Sequence, residues 1–172
     1  MRDSGDYVIV VPSKDNVFIT QFVSEMYNLQ FRDKGKYHFT IIGLEDWLKI
    51  QDNLDINHLQ TLNVTLVTPG LMSFDDYRIK KFYKDYFLAK GYEPNEFTIK
   101  GFDLAAYLIN SLTYQPKLWF TSPEKVPYQG IITTFVYNRI IPTSGIEATG
   151  IKLYEYEDFR LKEVGRWPLQ KS

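Results

Sequence analysis

The chain has no cysteine, which excludes a disulfide framework and a thiolate metal site but leaves the compartment open. Its two histidines, His38 and His58, show no H-x-x-x-H or H-E-x-x-H spacing, so no metal site is expected. Long basic runs are missing as well. The 20 Lys and Arg are interspersed with 21 Asp and Glu, without the clustering that tracks phosphates, and nucleic acid is not expected as a partner. No apolar stretch approaches a membrane span. The opening MRDSGDYVIVVPS has one Arg, then acids, and an apolar run confined to residues 7–11, which is not a signal peptide. The turn after that run, PSKDN, lacks the glycines of a phosphate cradle, and neither G-x-x-x-x-G-K-[ST] nor G-x-S-x-G occurs. No catalysis and no cofactor are expected. A doubly wound enzyme with an unrecognised site is the third-ranked reading.

What is present reads as a soluble α/β chain. At 172 residues one domain can bury about 70% of the surface of its unfolded chain. Residues 7–11, YVIVV, form a run of the kind buried on both faces of a parallel sheet. PSKDN breaks it, and Asp15 or Asn16 caps a helix on which Phe18, Ile19, Phe22, Val23, Met26 and Leu29 recur at helical spacing, with Gly35 at its end. A strand at 39–42, a loop at 43–46 and a short helix at 47–52 repeat the order, and a third strand at 63–67 stops at Thr68-Pro69-Gly70. These steps predict a doubly wound, mostly parallel sheet with flanking helices.

Ser73, with Asp76 three residues on, predicts a near capping box for a helix that buries Ile79, Phe82, Tyr83, Tyr86 and Phe87 and stops at Gly91 and Pro94. Asn95 caps the next helix, where Phe97, Leu104, Ala105, Leu108 and Leu112 share a face and Gly101 sits inside. Residues 130–139 alternate like a strand, a turn covers 142–145, and strands at 150–156 and 159–164 close an antiparallel hairpin on a Glu157-Asp158 turn. The expected organisation is a single domain over 1–172, with βα units at 1–70, a helical pair at 71–115 and a closing β segment at 128–166.

FDDYRIKKFYKDYFLAKGYEPNEFTIKGFDLAAYLINSL, residues 74–112, resembles a signature late in the type 1 periplasmic binding proteins, the leucine/isoleucine/valine receptor family. There an F-x-x-x-Y helix and a Gly/Pro loop precede a G-[YF]-D helix. YVIVVPSKDNVFITQFVSEMYNL is similar to a strand-to-helix unit of the second lobe, HFTIIGLEDW to the next strand and loop, and YQGIITTFVYNRIIPTSGIEATGIKLYEYEDFRLKEV to the closing segment. The combination IIGLEDW, INHLQTLNV, F-x-x-x-Y and GFDLAAYL most resembles receptor-like domains attached to LysM peptidoglycan-binding modules in the cell envelope. The resemblance covers the second lobe and C-terminal portion only. It implies a first lobe and secretion information upstream of Met1, a periplasmic or envelope location, and a non-catalytic module binding an amino acid or related small molecule. The alternative is an envelope interaction domain that contacts peptidoglycan or protein. With most of a first lobe missing, the helical pair is expected to find its cover in a homodimer.

Within that resemblance Gly43-Leu44-Glu45 matches a G-x-E position where an acid pairs with a ligand ammonium. Glu45 also lies just beyond a strand, where open α/β folds place ligand contacts. Against this, Glu45 and Asp46 suffice to cap the short helix at Trp47. Ser13, Lys14 and Asn16 carry the same choice between ligand contact and cap. Trp47 can stack on a planar ligand or anchor the core. The expected ligand-binding set is Ser13, Asn16, Glu45, Asp46 and Trp47, while Asp103 of GFD is expected to cap or bridge loops.

Overall fold

A computed structural model of the chain describes residues 5–32, 36–74, 76–141 and 143–167. The expected helix end at Gly35 and the expected turn at Pro142 lie outside them. The fold is mixed α/β. β1 (Gly5–Val10), α1 (Asn16–Arg32), β2 (Tyr37–Leu44), a 3-10 helix (Glu45–Asn53), α2 (Ile56–Thr61) and β3 (Thr65–Thr68) follow in order. α3 (Tyr77–Lys90), α4 (Glu96–Tyr114), α5 (Pro116–Thr121) and a second 3-10 turn (Pro123–Lys125) come next. Short strands β4 (Tyr128–Gln129), β5 (Thr134–Phe135), β6 (Tyr137–Asn138) and β7 (Glu147–Ala148) lead to β8 (Ile151–Glu157) and β9 (Arg160–Trp167).

The central sheet has the order β1-β2-β3-β8-β9. β1 pairs with β2 and β2 with β3 in parallel, and β8 joins β3 antiparallel. The chain forms two compact units, one running to Thr68 and including Lys152–Arg166, the other Pro69–Ile151. The division falls at the proline and glycine that end β3.

In the first unit the pleat sorts the strands. Tyr7 and Ile9 sit opposite Phe39 and Ile41, and Gly43 and Tyr154 sit opposite Leu66, so all share one face. Ile19 and Val23 of α1, Trp47 and Ile50 of the 3-10 helix and Leu59 of α2 close over that face as one buried cluster. Each such side chain contributes about 1.5–3 kcal/mol on burial. The alternate residues Val8 and Val10 are 67% and 65% exposed. The apolar run of β1 is therefore buried on one face rather than two. β3 starts at Thr65 because Asn63, at φ 44, still belongs to the turn after α2. The closing hairpin turns at Asp158 and Phe159, both at positive φ, one residue later than expected.

The second unit is held differently. Asp76 caps α3 itself, accepting from the Arg78 amide at 2.8 Å, so it is the cap and not the third residue of a box begun by Ser73. Gly91, left-handed at φ 77, ends α3 as a C-terminal glycine should. Asn95 and Thr98 form a reciprocal capping box on α4. The face of α4 that packs is Ile99, Asp103, Tyr107 and Ser111. Of the residues read as one apolar face of α4, Phe97, Leu104, Ala105 and Leu112 are exposed and Leu108 is half-buried. On α3 the expected stripe is buried only at Ile79, partly covered at Phe82, Tyr83 and Tyr86, and exposed at Phe87.

The cause lies in residues 130–139, which do not form one strand. The amides of Ile131, Ile132 and Thr133 all turn onto the buried Asp103 carboxylate, at 2.6, 2.9 and 2.9 Å. A Cβ on Gly130 would stand 2.4 Å from the Asp103 carboxyl carbon, so only glycine permits that approach. Strand pairing resumes as the short β4–β5 and β6–β7 ladders. Tyr107 stacks on Phe135 with ring centroids 4.7 Å apart and accepts a hydrogen bond from the Trp119 indole.

Candidate functional site

The loops following β1 and β2 and the last residue of β3 lie at the carboxyl ends of three parallel strands, the edge where open α/β sheets bind ligands. After β1, the Asp15 amide donates to Ser13 Oγ at 3.2 Å, and Asp15 Oδ1 accepts from the Phe18 amide at 2.7 Å. Asp15 is thus the side chain that caps α1. Asn16 begins the helix, with an exposed side chain and a carbonyl that accepts from Thr20 Oγ1.

Glu45 and Asp46 occupy the first turn of the 3-10 helix, whose cap residue, Leu44, makes no side-chain cap bond. The half-buried Glu45 carboxylate accepts from Thr68 Oγ1 at 2.9 Å, which ties the end of β2 to the end of β3. Asp46 accepts from Lys49 at 2.5 Å and from Lys14 at 2.9 Å. The Lys49 hydrogen bond, followed by that of Lys14, holds the Asp46 carboxyl below its ordinary value. Pairs this exposed add little stability, and of the two only Lys14–Asp46 links the first loop to the second.

Trp47 is 1% exposed and donates its indole N–H to the Ser13 carbonyl at 3.1 Å. Its ring lies so close to β2 that a Cβ on Gly43 would meet it at 2.9 Å. It occupies the core-anchor position, beneath the loops. Ser13, Glu45 and Asp46 therefore stand at this edge, with Trp47 buried beneath it and Asn16 at the start of α1.

Thr68 and Lys152 join that edge without having been singled out from the sequence. They are partners in the β3–β8 register, and Lys152, 3% exposed, pairs with Glu163 at 3.3 Å. The available signal was alternation: Lys152, Tyr154 and Tyr156 share one face of β8, so inward tyrosines carry an inward lysine with them. Neither histidine belongs to the edge. His58 stacks on Tyr27 at 3.8 Å, and His38 is exposed on β2. Among the described residues no His, Asp and Glu group is placed to hold a metal ion, and no helix is long and apolar enough to cross a membrane.

No family model and no curated protein matches the chain. Among solved structures it is similar to an ABC transporter substrate-binding protein from Desulfitobacterium hafniense in complex with Leu, at 13% identity and a TM-score of 0.38, over 82% of this chain and 39% of that one. It is also similar to a solute-binding protein of an ABC transporter from R. palustris in complex with benzoate, at 11% identity and a TM-score of 0.41, over 92% of this chain and 42% of that one. The chain thus spans about two fifths of the length of each.

Proposed function

We propose that the chain is the ligand-recognising part of a solute-binding receptor of the cell envelope, holding an amino acid or related small molecule without transforming it. The observation that carries this reading is the gathering of Ser13, Glu45, Asp46 and Thr68 at the carboxyl edge of the parallel strands. Glu45 pairs with the ligand ammonium, and its bond from Thr68 orients the carboxylate in advance. Ser13 and Asn16 supply polar contacts from the first loop. Asp46 fixes Lys14, and Trp47 supports both loops from below. In the receptor family that the sequence resembles, the first lobe completes the cleft by hinge closure.

NMR titration of the chain with leucine, repeated on Glu45→Gln, tests the reading. A charge-assisted hydrogen bond of about 1.5–3 kcal/mol predicts roughly tenfold or greater weakening, with the fold unchanged. Equal binding by both proteins would assign Glu45 to structural contacts such as its bond with Thr68 and not to a ligand. The envelope-interaction alternative draws on exposed aromatics of the second unit, Phe87, Phe97, Phe102 and Tyr114. Retention on purified peptidoglycan, with no response to leucine, would move the assignment there. Association of two copies through the helical pair belongs to the same proposal.

A further inference from the structure

α4 turns its polar stripe inward and its apolar side outward. Asp103, Tyr107 and Ser111 are buried together with Ile99, whereas Phe97, Phe102, Leu104, Ile109 and Leu112 are between 42% and 78% exposed. At helical spacing these five span the half of the helix opposite the buried stripe. Charge is missing from that half. Lys100 pairs with Glu96 one turn away, and from Gly101 to Tyr114 the sole carboxylate is the buried Asp103. Gly101 and Ala105 lie along the middle of the outward face. A Cβ on Gly101 would meet nothing within 4 Å, so the glycine, poor in a helix interior, serves no close contact among the described residues.

We infer that this face is the contact between two copies of the chain, α4 against α4 about a two-fold axis, crossing at Gly101 and Ala105. A two-fold contact places a patch against itself, which an uncharged face tolerates and a face of one charge does not. At about 200 Å² for each fully exposed large side chain, the five residues present roughly 600 Å² per copy. Complete burial of all five on both copies would remove at most about 1,200 Å², the lower end of the range for specific interfaces, and such a patch is at the upper limit of what monomers usually expose. Glycine and alanine at the crossing let the two backbones approach closely enough for the flanking large side chains to interlock. This deepens the self-association proposed above and does not depend on the ligand edge, whose residues belong to the other unit.

Light scattering across a dilution series should give twice the chain mass of 20.3 kDa at high micromolar concentration, falling toward one chain mass on dilution. Ala105→Arg, which puts a charge at the crossing, should be a single chain throughout, with unchanged circular dichroism and unchanged leucine titration. Because the chain has no cysteine, Ala105→Cys should be captured as a dimer by a short bis-maleimide, whereas Val8→Cys should not. A monomeric wild type at high micromolar concentration, or a dimer that survives Ala105→Arg and escapes the cross-link at 105, overturns the inference. Lost leucine binding with the dimer intact would overturn only the ligand reading.

Discussion

Each of the two units has a side chain that reaches across to fasten it, and the two side chains work by opposite physics. In the first unit Trp47 is sunk into a continuous apolar cluster that takes residues from β2, β3, α1, α2 and the 3-10 helix. In the second, the buried apolar cluster is Ile79, Ile99 and Ile132, and the fastening is Asp103, a carboxylate holding the amides of Ile131, Ile132 and Thr133. The difference teaches that apolar residues do not by themselves say where the inside is. α4 is rich in leucine and phenylalanine, yet what it packs inward is the residue with the most hydrogen bonds to make. Three amides left unpaired in the interior, at about 1–3 kcal/mol each, would together cost more than one leucine forgoes by staying in water, about 1.5–3 kcal/mol.

The largest expected effect tests the apolar anchor. Trp47→Ala should cost about 3–5 kcal/mol in urea unfolding, with amide exchange opening first in β1 and β2. A loss below about 1 kcal/mol would mean that the cluster closes without the indole and would erase the contrast. Next comes the polar anchor. Asp103→Asn keeps the size of the side chain but turns an amide N–H₂ toward backbone donors, and should cost about 2–3 kcal/mol. Fast exchange should then be centred on the amides of Ile131, Ile132 and Thr133. Unchanged protection there would show that the 130–133 turn holds itself.

The smallest effect is a matter of pH. Burial pushes the Tyr156 phenol up from 10.0 to about 12. Above pH 10 the unfolded chain releases this proton while the folded chain keeps it, so the stability present below pH 10 declines as pH rises toward about 12. Tyr156→Phe should flatten that part of the stability curve. Tyr137 in the second unit is also raised by burial and by Tyr107, and Tyr137→Phe should flatten it less. The reverse ranking would show the second unit to be the drier of the two.

Much of the first unit could be read from the sequence, because its signals are local. Asp15 stands before an apolar helical repeat, proline and glycine follow β3, and the apolar runs fall at the lengths of strands. The mistake at β1 came from the same kind of signal: YVIVV looks alike whether one face is covered or two, and the exposure of Val8 and Val10 depends on what packs there. The candidate edge was partly legible for this reason. Ser13, Asn16, Glu45 and Asp46 sit next to strand ends, which marks them in sequence. Thr68 and Lys152 become neighbours through β3–β8 pairing, between residues more than eighty positions apart.

The sequence by itself determined the order of β1 to β3, α1, α3 and α4, the parallel start, the helix stops at Gly91 and Pro94, and the Asn95 cap, since these depend on backbone preferences within a few residues, whereas α2, α5 and the short β4–β7 ladders were not read from it. Tertiary structure alone decided which half of α4 is inside, why residues 130–139 are not one strand, and what Glu45 holds. Each of those is settled by a partner distant in the chain, the 131–133 amides for Asp103 and the Thr68 hydroxyl for Glu45. Hydrogen bonding is satisfied by geometry in space, and periodicity along the chain carries no record of it.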